Sequence, residues 1–124
     1  FQDLLVQVED GTRPLYEVVA ERAKSWDRHG NVGLVVGATY PDEMRRLRAL
    51  CPDTLFLVPG VGAQQGSLDD AVRAGIDARG RGLLISASRG VTYASKGADF
   101  AAAARAAATK LRDEIRACAA AVRA

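Results

Sequence analysis

The hydrophobic residues of this chain fall into three short, nearly continuous runs, at 32–38, 54–58 and 82–87. Runs of this length without strict alternation are typical of parallel β-strands that are buried on both faces. Each run is followed by a stretch in which apolar residues recur at helical spacing. The pattern therefore predicts an α/β fold in which helices alternate with the strands of a parallel sheet.

Prolines and glycines mark the ends of the first two helices. Pro14 and Pro41 suit opening helical turns, because proline has no N–H to leave unpaired there. The first helix is predicted to stop at His29 and Gly30, and the second before Pro52. The apolar positions of the first helix are Leu15, Val18, Val19 and Trp26.

The third and fourth helices begin at capping residues. Ser67 is a predicted N-cap with Asp70 three residues later, and Gly75 marks the stop. Asp99 is predicted to cap a long last helix with one packed apolar face. That face comprises Phe100, Ala104, Ala107, Leu111, Ile115, Cys118 and Val122.

Composition and charge exclude several classes of function. The chain has 124 residues, 48% of them hydrophobic, and a net charge of +2 without a run of like charge. This balance gives no reason to expect a nucleic-acid or membrane partner. Cys51, Cys118 and the single His29 suggest neither a disulfide framework nor a zinc site. A reduced, cytoplasmic setting fits best.

Three parallel strands make a small sheet with two open edges and a poorly covered face, which is a liability for an independent domain. A full (β/α)8 barrel needs roughly 250 residues. We therefore predict that residues 1–124 form a single partial barrel domain, which is completed by an amino-terminal half. The start at Phe1 without an initiator Met fits this expectation.

Candidate binding residues follow the second and third strands, since ligands of α/β proteins bind at the carboxyl ends of strands. The loop at 59–66 offers glycines that permit positive φ, two amide side chains and a following helix N-terminus that favours an anion. These glycines and glutamines are Gly60, Gly62, Gly66, Gln64 and Gln65.

Arg89 follows the third strand, and its guanidinium fork matches phosphate oxygens. A glycine loop and an arginine at neighbouring strand ends predict a phosphate site. The alternative is that the glycines only form turns and Arg89 is a surface charge. Tyr93 and Ser95 are weaker candidates, while Asp69 and Asp70 are better explained as first-turn acids.

The segments "GLVVGAT-P-E" (33–43), "FLVPGVGAQ-G" (56–66) and "SRGVTYAS" (88–95) carry a family resemblance. In this order they resemble the carboxyl-terminal half of orotidine 5′-phosphate decarboxylase, particularly its longer bacterial form. The resemblance implies a (β/α)8 barrel that converts orotidine monophosphate to uridine monophosphate and CO2 in pyrimidine biosynthesis. It also implies a homodimer without metal or organic cofactor.

The resemblance assigns roles to residues in two motifs. Gln64 matches the glutamine that bridges the phosphate and the pyrimidine, Arg89 matches the phosphate-gripping arginine, and Ser88 matches a position whose backbone N–H assists. Pro59, Gly60 and Gly62 begin the loop that closes over the substrate. Gln65 stands where the family has glycine, which leaves open which of the two amides faces the ligand.

The catalytic lysines and aspartates of the family have no match in residues 1–124. The resemblance therefore implies that this segment holds the phosphate and that the catalytic residues lie elsewhere. Two alternatives stay open from the sequence. One is a non-catalytic half-barrel that binds a phosphorylated ligand or dimerises through its open strand edges. The other is a different phosphate-binding barrel, such as a sugar-phosphate aldolase or another decarboxylase of the same wider group.

Overall fold

The structure, a computed structural model, describes residues 3–62 and 66–123. A two-stranded antiparallel hairpin is followed by helices that alternate with three strands. The elements are β1 (Leu5–Val8), β2 (Gly11–Pro14), α1 (Leu15–Trp26), β3 (Gly33–Val35), α2 (Pro41–Leu50), β4 (Leu55–Val58), α3 (Leu68–Gly75), β5 (Leu83–Ile85), α4 (Ser88–Thr92) and α5 (Phe100–Arg123).

The three predicted strands form one parallel sheet in the order β3-β4-β5. Leu34 lies opposite Phe56, which in turn lies opposite Leu83. The core lies on one side of this sheet, where Phe56 and Val58 are fully buried together with Met44 of α2. The predicted α/β alternation and parallel sheet are confirmed.

The opposite face of the sheet is open to solvent. Val35, Leu57 and Leu84 are aligned across the three strands, and their exposed fractions are 72%, 41% and 53%. The prediction that these strands are buried on both faces is therefore wrong for the described part of the chain. Since alternate side chains of a strand point to opposite faces, Phe56 and Val58 enter the core while Leu57 does not.

The hairpin β1-β2 is not predicted by the hydrophobic runs. Its four residue pairs run from Leu5 opposite Pro14 to Val8 opposite Gly11. The N–H of Leu15 donates to the carbonyl oxygen of Leu4 at 2.8 Å, which joins the hairpin to the start of α1. Pro14 is the N-cap of α1, so the predicted helix start is confirmed.

Helix α1 ends at Trp26, earlier than the predicted stop at Gly30. The carboxylate of Asp27 accepts hydrogen bonds from the N–H groups of Asn31 and Val32, at 2.8 and 3.3 Å. These bonds favour a loop where the helix would otherwise continue. Trp26 is 67% exposed, so its assignment to the apolar face of the helix is wrong.

The other helix boundaries agree closely with the sequence. Helix α2 begins at Pro41, and α3 ends at Gly75. Ser67 caps α3, because its Oγ accepts a hydrogen bond from the N–H of Asp70 at 3.2 Å. The apolar stripe of α5 is half-buried along its middle, whereas Phe100 and Val122 at its ends are exposed. The short helix α4 is an addition that the pattern does not predict.

Arg48 of α2 ties together the loops at the amino-terminal end of the strands. The side chain is buried, and its guanidinium lies 3.8 Å above the centre of the Phe56 ring. Its Nε donates to Gly75 O at 2.7 Å and its Nη2 to Gly82 O at 3.0 Å. Its Nη1 donates to the carbonyl oxygens of Cys51, Pro52 and Thr54. One side chain thus satisfies backbone acceptors from three separate segments.

Asp77 stabilises the loop that leads into β5. Its Oδ1 accepts hydrogen bonds from the N–H groups of Arg81 and Arg79, at 2.7 and 2.9 Å. Burial raises the pKa of Asp77, but these two bonds and the charges of Arg79 and Arg48 lower it by a larger amount. The pKa of Asp77 is therefore below its usual value. The ionised carboxylate is therefore the form that the folded loop favours.

Asp77→Asn should lower the free energy of unfolding at pH 7 by about 1 kcal/mol, since the neutral amide oxygen is a weaker acceptor than the carboxylate. A depressed folded pKa gives stability that is present above the unfolded pKa of about 3.9 and is lost as the pH falls through the folded pKa. The difference between wild type and variant should therefore shrink below about pH 4. Urea unfolding measured from pH 7 to pH 3 checks this. A difference that stays constant with pH would contradict it.

Candidate functional site

The loop after β4 is shaped by glycines with positive φ. Gly60 has φ 87° and Gly62 has φ 144°, conformations that side-chain-bearing residues rarely adopt. The N–H of Gly62 donates to the carbonyl oxygen of Gly66 at 3.3 Å, which closes the base of the loop. Pro59 begins the loop directly after β4. The predicted backbone freedom at Gly60 and Gly62 is therefore used in the fold.

Gln64 and Gln65 lie outside the described residues, as does Ala63. The assignment of a ligand contact to Gln64, and the choice between the two amides, stay predictions. The described residues that flank these three are Gly62 and Gly66.

Gly66 is needed for a close approach between two segments. A Cβ at this position would lie 2.8 Å from the carbonyl oxygen of Ala38 and 3.0 Å from its Cβ. Ala38 follows β3 and is 2% exposed. The sequence shows Gly66 only as one of several loop glycines, because nothing local indicates that Ala38 is its neighbour.

Ser88 and Arg89 begin α4, at the carboxyl end of β5. The N–H of Ser86 donates to Val58 O at 3.0 Å, so the two parallel strands end side by side. The loop at 59–66 and Arg89 consequently lie at the same edge of the sheet. Arg89 is exposed, and within residues 3–62 and 66–123 no carboxylate forms an ion pair with it. Its guanidinium is thus available to an anion.

An open cavity of about 410 Å³ lies between the loop, α4 and α5. Its walls are mostly apolar, and Gly62 and Glu114 are among the lining residues, whereas Ser88 and Arg89 are not. The described residues that line this cavity thus offer an anion no basic side chain.

The structure gives different environments to three weaker candidates, Asp69, Tyr93 and Cys51. Asp69 pairs with Arg73 at 2.6 Å, and a hydrogen bond from Arg73 lowers the pKa of this carboxyl. Tyr93 is exposed. Cys51 is buried, and burial raises the pKa of its thiol, which disfavours the nucleophilic thiolate.

In the described segments, the lysine side chains do not form an array with carboxylates that could act as catalytic acids and bases. Lys24 Nζ donates to Leu50 O at 3.0 Å, and Lys110 pairs with Glu114 at 3.8 Å. Over the same two segments, no three His, Cys, Asp or Glu side chains come together as metal ligands. The helices in these segments also include none that is long and apolar enough to span a membrane.

Parallel strands, each followed by a helix, with a glycine loop and an arginine at the carboxyl edge, define a segment of a βα-barrel protein. Residues 2–107 match the model of the orotidine 5'-phosphate decarboxylase / HUMPS family. The chain belongs to this family, as the three sequence motifs indicate.

Named relatives agree with this membership. Orotidine 5'-phosphate decarboxylase from Ralstonia nicotianae is 50% identical over 109 residues, which are 87% of this chain and 40% of the relative. The enzyme of the same name from Azoarcus is 55% identical over 108 residues, 86% of this chain and 40% of the relative. The chain thus spans about 40% of the length of these curated relatives.

Solved structures show the same arrangement. OMP decarboxylase of Leishmania donovani superposes with a TM-score of 0.72 at 48% identity, over 92% of this chain and 41% of that one. UMP synthase of the same organism gives 0.71 at 50% identity, over 90% of this chain and 24% of that one. The predicted partial barrel fold is confirmed by these similarities.

Proposed function

We propose that the protein containing this chain decarboxylates orotidine monophosphate to uridine monophosphate and CO2, and that this chain supplies the phosphate-binding loops. The observation that carries the proposal is the position of two motifs. The glycine loop at 59–66 and Arg89 lie at one edge of the sheet, in a chain about 50% identical to enzymes named for this reaction.

The reaction breaks the bond between the pyrimidine ring and its carboxylate carbon. CO2 leaves, the ring carbon keeps the electron pair, and a proton then adds to it. Phosphate contacts lie far from this carbon, so their binding energy helps by fixing the substrate and closing the site. In this proposal Arg89 and the backbone N–H of Ser88 grip the phosphate, and Gln64 bridges it to the pyrimidine.

The proposal requires a preceding segment of the same protein. The aligned side chains of Val35, Leu57 and Leu84 form an apolar sheet face that parallel barrels normally bury. The remaining strands of the barrel would cover this face, and the catalytic lysines and aspartates would come from them. We propose further that the enzyme is a homodimer, as the resemblance implies, and that no cofactor takes part. The two free cysteines fit a reducing cytoplasm.

A chimaera tests the function. The amino-terminal segment of the Ralstonia nicotianae enzyme, joined to this chain, should consume orotidine monophosphate. It should also support growth without uracil of a bacterium that lacks the decarboxylase. This chain alone should show no turnover, because the proposed catalytic residues are absent from it. Absorbance loss of the substrate measures both reactions.

Two outcomes would overturn parts of this proposal. A folded but inactive chimaera, beside an active parental enzyme, would refute the decarboxylase function and favour a non-catalytic, phosphate-binding role. Turnover by the isolated chain would instead show that the catalytic groups lie within these 124 residues.

A further inference from the structure

We propose that Ala38 is a positioning residue that contacts both ends of the loop at 59–66 and holds them in place, and thereby sets the affinity for the substrate phosphate. This inference rests on the proposed function, because the phosphate is that of orotidine monophosphate. Ala38 carries no polar side chain and is buried, so sequence patterns give it no functional role.

Pro59, the first residue of the loop, forms a backbone hydrogen bond with Ala38. The N–H of Ala38 donates to the carbonyl oxygen of Pro59 at 3.0 Å, which continues the pairing of β3 with β4 beyond the strands. Just before it, the N–H of Val36 donates to Leu57 O at 2.9 Å. The chain therefore leaves β4 with its direction fixed as far as Pro59.

The loop also ends at Ala38. A Cβ on Gly66 would lie 2.8 Å from Ala38 O and 3.0 Å from both the carbonyl carbon and the Cβ. Most of these atoms belong to the backbone, so the crowding could not be relieved by a side-chain rotation. Gly66 therefore packs against Ala38 at a distance that only glycine permits.

Both ends of the loop are thus fixed to one residue, and the bridge between Gly62 and Gly66 holds them together. Directly after Gly66, Ser67 caps the start of α3. A shift of Ala38 would displace Pro59 and Gly66 relative to Arg89, which follows the next strand. Misplacement of a binding group by about 1 Å can cost about 100-fold in efficiency.

The test uses the chimaera and two probes, uridine monophosphate and uridine, whose only difference is the phosphate. Gly66→Ala and Ala38→Val should each weaken binding of uridine monophosphate about 10- to 100-fold, by displacing the loop. Binding of uridine should change little.

Gly75→Ala is the control for a methyl group added to a crowded glycine away from the loop. Its Cβ would lie 2.7 Å from Met44 Sδ and 2.8 Å from Leu83 Cδ2, which are ends of core side chains and not backbone atoms. This variant should lower the melting temperature and leave the ratio of the two affinities unchanged. The role of Ala38 would be refuted if Gly66→Ala weakened the binding of uridine monophosphate and uridine equally. It would also be refuted if the affinity for uridine monophosphate did not change. An inactive wild-type chimaera would instead refute the proposed function.

Discussion

Arg48→Met is expected to lower the free energy of unfolding by about 1–3 kcal/mol, the cost of leaving buried acceptors without their charged donor. Methionine keeps much of the packing on Phe56 but donates no hydrogen bond. The carbonyl oxygens of Gly75, Thr54 and Gly82 would lose a donor in a place that water reaches poorly. Urea unfolding of the chimaera measures the loss.

Arg45→Met provides the control on the same helix. The side chain of Arg45 is 61% exposed and pairs with Asp42, so its loss should cost no more than about 0.5 kcal/mol. Arg48→Lys should recover only part of the stability, since an ammonium lacks the planar fork that reaches several acceptors. Equal effects of Arg45→Met and Arg48→Met would contradict the role given to Arg48.

Arg89→Ala in the chimaera should reduce kcat/KM for orotidine monophosphate about 10- to 100-fold, equivalent to about 1.5–3 kcal/mol for lost hydrogen bonds to a charged group. The reason is that Arg89 is the exposed guanidinium at the strand edge shared with the loop at 59–66. The effect should nearly vanish with orotidine, which has no phosphate. Steady-state kinetics with both substrates checks this.

Arg105→Ala is a suitable control, because Arg105 is exposed on α5. It should leave kcat/KM unchanged. If Arg89→Ala had no effect on the phosphorylated substrate, Arg89 would be removed from the proposed site and the glycine loop would remain as its anion-binding element.

The sequence predicts most elements of this fold because their signals are local. Continuous apolar runs identify β3, β4 and β5, and Pro41 and Ser67 mark the starts of two helices. The early end of α1 is harder to predict, because it depends on a side-chain bond from Asp27 to backbone several residues later. The open sheet face agrees with the poorly covered face expected of a three-stranded sheet, but the continuous apolar runs do not show which face it is, since burial depends on what covers the strands.

The residues of the candidate site also differ in whether local sequence signals identify them. Gly60, Gly62 and Arg89 can be found from their positions after apolar runs. Ala38 and Arg48 cannot, because their importance depends on contacts with segments distant in sequence. Arg48 lies close to the exposed Arg45 and Arg46 on α2, and only its five backbone acceptors distinguish it from a surface charge.

The free edge of β5 affects how the proposed barrel folds. In the proposed barrel, β5 pairs with the strand farthest from it along the polypeptide. Loop-closure entropy and contact order make so distant a pairing slow to form. Until then, Leu57 and Leu84 stay exposed, and exposed apolar strands promote aggregation. Barrel closure is therefore the folding step at which chaperone assistance would raise the yield most.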